Sequence, residues 1–131
     1  MGPFIAYGGG VTDDSEHIHE VAVIGVGPGG ITAAHLLQRH GIEDFVILER
    51  AAEVGGTWRD NHYPGLAVEI PSLWFQFPFA RDPYRSRLFA PGGEIQAYLR
   101  KVAEDGGVHR HMLTGAEVVR QVWDDVRAVS A

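Results

Sequence analysis

The sequence predicts an α/β fold built on a parallel sheet, and three observations carry that reading. An apolar run, Val21-Ala22-Val23-Ile24, leads directly into a glycine-rich turn, Gly25-Val26-Gly27-Pro28-Gly29-Gly30. A helical stripe of Ile31, Ala34 and Leu37 follows and stops at Gly41. A second apolar run, Phe45-Val46-Ile47-Leu48, closes on the charged pair Glu49-Arg50. Strand, helix and strand within about 30 residues form a βαβ unit, whose crossover is right-handed.

Residues 1–18 read as a flexible leader, because Gly8-Gly9-Gly10 and the polar stretch Thr12 to Glu16 offer little to bury. Order is expected to begin between His17 and Glu20. Glu20 to Gly25 is the first strand, buried because Val21, Val23 and Ile24 make both faces apolar. Gly30 to His40 is the helix, and Phe45 to Leu48 a second buried strand. From Arg50 to Gly93 no period is visible, and Gly, Pro and aromatic residues dominate. A stretch of that length in a compact domain is expected to wrap a ligand, with Trp74, Phe75, Phe77 and Phe79 packed as loop core. A helix resumes at Glu94, where Ile95, Tyr98, Leu99 and Val102 share one face. Glu117 to Trp123 is a third strand candidate through Val118, Val119 and Val122. Residues 19–123 thus form a partial domain, and 124–131 a tail without a returning strand.

Composition narrows the function. The 131 residues fit one domain, and 45% apolar with 21% charged residues is ordinary for a globular chain. A net charge of -6 gives no general attraction for nucleic acid or anionic membranes, so neither is an expected partner. The absence of cysteine excludes disulfides, thiolate metal sites and cysteine nucleophiles, in keeping with a cytoplasmic location. No apolar run is long enough to span a membrane, and Met1 to Tyr7 does not read as a signal peptide.

The glycine turn asks for a dinucleotide. Gly25 permits the tight turn out of the strand, Gly27 lets backbone approach a pyrophosphate, and Gly30 lets the helix sit against the sheet. Gly29 completes the turn, and the unpaired N–H groups of the helix start face the phosphates. Glu49 stands about 20 residues further on, where a carboxylate accepts both ribose hydroxyls. That acid favours FAD or NAD over NADP, with Arg50 leaving a narrow opening for the latter. No metal site is expected. His17/His19 and His109/His111 are i, i+2 pairs without a visible third ligand, and Arg81, Arg85 and Arg87 read as a solvated loop.

A second signature follows: Gly55-Gly56-Thr57-Trp58, four residues, Tyr63-Pro64-Gly65, three residues, then Glu69. Its glycines let backbone lie close to a flat ring or phosphate, and Trp58 and Tyr63 offer apolar walls with polar tips. The stretch resembles the [A/G]-G-x-W-x-x-x-x-[F/Y]-P-[G/M]-x-x-x-D pattern of class B flavoprotein monooxygenases, above all the Baeyer–Villiger monooxygenases. Only the last position departs, with Glu69 for the aspartate. Ser86-Arg87-Leu88-Phe89-Ala90-Pro91 and Glu94 to Leu99 also resemble that family.

The resemblance implies a Rossmann-like FAD-binding core with Thr57, Trp58, Arg59 and Asp60 along the flavin side. Glu69 would stand between the flavin and nicotinamide sites, and Val118 would supply backbone contacts to the adenine. Phe75 falls where relatives often carry tyrosine. The implied activity is NADPH-dependent oxygenation of ketones, sulfur or nitrogen through a flavin C4a-peroxide. No second glycine motif and no F-x-G-x-x-x-H-x-x-x-W fingerprint occur in the 131 residues. The domain therefore reads as incomplete, inactive alone, and prone to associate with a missing segment or with itself through exposed edges. NADPH is expected only in a complete enzyme, and no catalytic residue is assigned. A non-catalytic dinucleotide-binding remnant and an amine N-hydroxylase remain the alternatives.

Overall fold

The computed structural model describes residues 17–125, together with the backbone pairing of Phe4–Ile5 and Val129–Ser130. Its elements in chain order are β1 (Phe4–Ile5), β2 (Ile18–His19), β3 (Val21–Ile24), α1 (Pro28–Arg39) and β4 (Phe45–Glu49). There follow α2 (Thr57–Asp60), α3 (Gly92–Asp105), a 3-10 turn (Val108–His111), β5 (Met112–Thr114), β6 (Trp123–Asp124) and β7 (Val129–Ser130).

The expected βαβ unit is present. β3 and β4 run parallel with Val21 opposite Phe45 and Ile24 opposite Leu48. Phe45, Val46 and Ile47 are buried, because β4 is the middle strand of the order β3-β4-β5. β3 lies at the edge and is only half-buried, with Ile24 exposed, so of the two strands expected to be buried only β4 is. Ile31 and Ala34 bring α1 onto the sheet, and a positive φ at Gly41 turns the chain out of it.

The third strand is not where the valines pointed. Met112–Thr114 pairs in parallel with Ile47–Glu49, whereas 117–122 forms no strand. Val119 is 86% exposed and Val122 is exposed as well, since no strand among the described residues pairs with them. The tail expectation also changes, because β7 returns antiparallel along β6. β1 pairs with β2 and β7, which the glycine-rich leader did not foretell; the rest of 1–16, 126–128 and 131 lie outside the described residues.

α3 closes the core over β4 through Ile95, Leu99 and Val102, and Tyr98 ties down the long loop. The Tyr98 hydroxyl accepts from the Phe77 N–H (2.8 Å) and donates to the Ala80 carbonyl (2.7 Å). Burial pushes its phenol pKa up, so it remains a donor throughout the neutral range. Ser72 fastens the loop in the same way, donating to Leu88 O (2.9 Å) and accepting from Ala90 N (2.7 Å). Of the four aromatic residues expected as loop core, Phe77 is buried and Phe75 half-buried. Phe79 is exposed at the rim, where it stacks on Phe77, and Trp74 is 76% exposed.

Candidate functional site

Two glycine turns meet at the carboxyl end of the parallel sheet. Gly25 turns out of β3 with φ +84, its N–H donating to Leu48 O (2.8 Å). The second turn is anchored on the first, because Gly55 N donates to Val26 O (3.1 Å). Side chains are excluded between them: a Cβ on Gly56 would stand 3.0 Å from Gly27 Cα. Gly55 and Gly56 also have positive φ, so each needs glycine for conformation as well as for space.

Behind the second turn stands Gln96, a polar side chain within the apolar face of α3. It is 6% exposed and donates to Val54 O (2.8 Å), with its carbonyl oxygen pressed against Gly55. The sequence signal for it was a lone amide beside Ile95. Its place under the turn marks it as a positioning residue.

Glu49 ends β4 and is 4% exposed, so it is no solvated strand end. Its carboxylate accepts from Val26 N (2.9 Å) in the glycine turn and from Ala51 N (2.9 Å). Arg59 approaches it at 3.3 Å and also donates to Glu53 O (2.6 Å) and Asp60 (2.9 Å). Asp60 in turn pairs with Arg50 (3.1 Å). The hydrogen bond from Arg59 holds the Asp60 carboxyl below the usual carboxylate range. The same bond, with the Glu49 charge, raises the Arg59 guanidinium against the opposing effect of burial. A fixed cation and a buried anion thus stand side by side at the strand end.

These groups line a cleft of about 490 Å³ that includes Gly25, Gly27, Glu49, Gly56, Arg59 and Val118. A second cleft of about 480 Å³ adjoins it, lined by Trp58, Tyr63, Val68, Glu69 and Phe75, with Thr57 and Asn61 common to both. Trp58 meets Phe75 edge to face at 5.3 Å, and Glu69 is exposed on the wall. Gly29 and Gly30 line neither cleft; they open α1, whose start no side chain caps. Sequence reasoning missed Asn61, which donates to Thr57 O and Oγ1 (2.8 Å each) and so fixes the hydroxyl between the clefts. Its signal was the i, i+4 spacing from Thr57.

Away from the clefts, His109 and His111 fall on the 3-10 turn instead of a strand, and His111 stacks on Phe45 at 3.8 Å. For the other histidine pair the fold supplies what the sequence did not show. Asp44 lies 2.8 Å from His17 and 2.9 Å from His19.

Residues 23–101 match the NAD(P)-binding Rossmann-like domain family. A Baeyer–Villiger monooxygenase of Streptomyces coelicolor is 50% identical over 114 residues, covering 85% of this chain and 22% of that protein. An FAD-binding monooxygenase of Botryotinia fuckeliana is 42% identical over 83% of this chain and 21% of its own length. Among solved structures, a steroid monooxygenase bound to NADP superposes with a TM-score of 0.77 at 28% identity, over 86% of this chain and 24% of that one. Cyclohexanone monooxygenase does so at 0.75 and 33%, over 80% and 21%. The chain spans about a fifth of the length of the curated relatives it matches. With that family's model matching residues 23–101, more than half of its length, this chain belongs to the NAD(P)-binding Rossmann-like domain family.

Proposed function

We propose that this chain is the FAD-binding portion of an NADPH-dependent flavin monooxygenase acting on ketones, sulfur or nitrogen. The observation that carries the reading is the pair of adjoining clefts, one ending on a buried carboxylate and the other on an aromatic wall. An elongated ligand with a ribose at one end and a flat ring at the other suits both.

FAD fits the residues present. Its pyrophosphate would lie against the uncapped start of α1 at Gly27, Gly29 and Gly30, where the backbone N–H groups are free to face it. Glu49 would accept the ribose hydroxyls, since a carboxylate offers lone pairs beyond the two its backbone donors use. Val118 would border the adenine, and Gly56, Thr57, Arg59 and Asp60 the path towards the ring. Trp58 and Glu69 would flank the flavin. When bound and reduced by NADPH, FAD supplies the oxygen-activating chemistry; these residues hold and orient it.

Delivery of NADPH and enclosure of the ring would fall to the remainder of a complete enzyme. We place the contact with the remainder of a complete enzyme, or with a second copy, at the edge strand β3. There Val21, Val23, Leu36, Leu37 and Ile42 line an apolar groove of about 280 Å³. No helix among the described residues is long and apolar enough to cross a membrane, and the absence of cysteine supports a cytoplasmic location.

Thermal denaturation with FAD and with FMN tests the assignment. FAD is expected to raise the melting temperature and FMN, which lacks the adenylate half, is not. Equal shifts would remove the adenosine from the Glu49 cleft. Incubated with FAD, NADPH and a cyclic ketone, the chain alone should form no oxygenated product, and flavin-dependent product would refute that expectation.

A further inference from the structure

We propose that His17, His19 and Asp44 form a zinc site that staples β2 to the lead-in of β4, independently of the dinucleotide clefts. The three side chains each bring one ligand atom to a common point, all within 4.8 Å of one another. His17 Nε2 and His19 Nδ1 converge on the same carboxylate oxygen, Asp44 Oδ1, at 2.8 and 2.9 Å.

The strand register brings them together. His17 and His19 alternate along the chain and share a face. Asp44 precedes Phe45, which lies opposite Val21, and its carbonyl accepts from Glu20 N (3.1 Å) and Val21 N (3.4 Å). The sheet itself therefore fixes the Asp44 backbone beside the residue that follows His19.

Two imidazoles and a carboxylate suit a borderline divalent cation, and without cysteine no thiolate competes for it. A tetrahedral zinc with bonds of about 2.0–2.1 Å separates its ligand atoms by about 3.3 Å. The two imidazole–carboxylate contacts would open by a few tenths of an ångström, and the two imidazole nitrogens, within 4.8 Å of one another, would adjust to the same spacing, which side chains that all reach solvent allow. Solvent reaches the cluster, which leaves the fourth position to water. The ion would replace the two imidazole–carboxylate hydrogen bonds by metal bonds.

Zinc titration of the full 131-residue chain by calorimetry tests the site, with cobalt substitution to report geometry. The expected result is saturable binding of one ion per chain, a tetrahedral cobalt spectrum and a raised melting temperature. His17→Ala and Asp44→Asn should each weaken binding at least about tenfold, as loss of even an outer-shell partner does. Neither side chain is buried, so both variants are expected to stay folded, and His109→Ala should bind as the parent does. Absence of saturable binding, or equal affinity in all three variants, would overturn the proposal and leave the cluster a hydrogen-bond clamp.

Discussion

Gly30→Ala lowers the unfolding free energy by about 3 kcal/mol, the upper range for overpacking a rigid site. The added Cβ would fall deep inside contact with the Gly25 carbonyl oxygen and 3.0 Å from its carbon. Both atoms are backbone at the end of β3, held by the Gly25 N–H to Leu48 bond, so no rotamer relieves the clash. The helix start must move away from the strand, and the phosphate-facing N–H groups move with it. Gly29→Ala is the control in the same turn. Nothing lies within 4 Å of its Cβ, and helix propensity makes it neutral or up to about 1 kcal/mol stabilising. Urea unfolding of the two variants checks the contrast, and equal midpoints would refute it.

Glu49→Gln is expected to cost about 2–3 kcal/mol and to weaken FAD binding at least about tenfold. The amide keeps the shape but turns one acceptor into a donor, leaving either the Val26 or the Ala51 N–H facing another N–H. It also removes the charge opposite Arg59, whose side chain is only 12% exposed. Breaking a buried pair from one side costs about 3–5 kcal/mol, and the lower figure applies because Arg59 retains Asp60 and Glu53 O. Glu53→Gln, in an exposed pair with Arg100, should cost under about 1 kcal/mol. Parallel urea melts and FAD titrations check both figures; a Glu49→Gln chain as stable and as tight as the parent would contradict the role given to this carboxylate.

The features legible in the sequence are those fixed by local pattern. Val21 to Glu49 encodes strand, turn, helix and strand in consecutive residues, and Glu49 follows as the end of β4. The helix through Ile95 to Val102 was legible for the same reason. What escaped depends on partners distant in the chain. Met112–Thr114 becomes a strand because Ile47–Glu49 offers it an edge, while the more strand-like valines at 118, 119 and 122 find none among the described residues. Asp44 joins His17 and His19 through the register of β3 on β4, which no spacing rule states. Gln96 belongs to the glycine turn only because α3 packs behind it. Trp74 shows the converse: an aromatic residue in a long loop that the fold leaves in water.

Fluorescence titration of FAD with the chain decides whether the Glu49 cleft and its neighbour hold one flavin dinucleotide. Saturable quenching at one FAD per chain is expected, with competition by ADP but not by NADPH, and a stabilisation of about 2.7 kcal/mol at a hundredfold excess over the dissociation constant. Unquenched FAD, or displacement of FAD by NADPH from the same cleft, would contradict it.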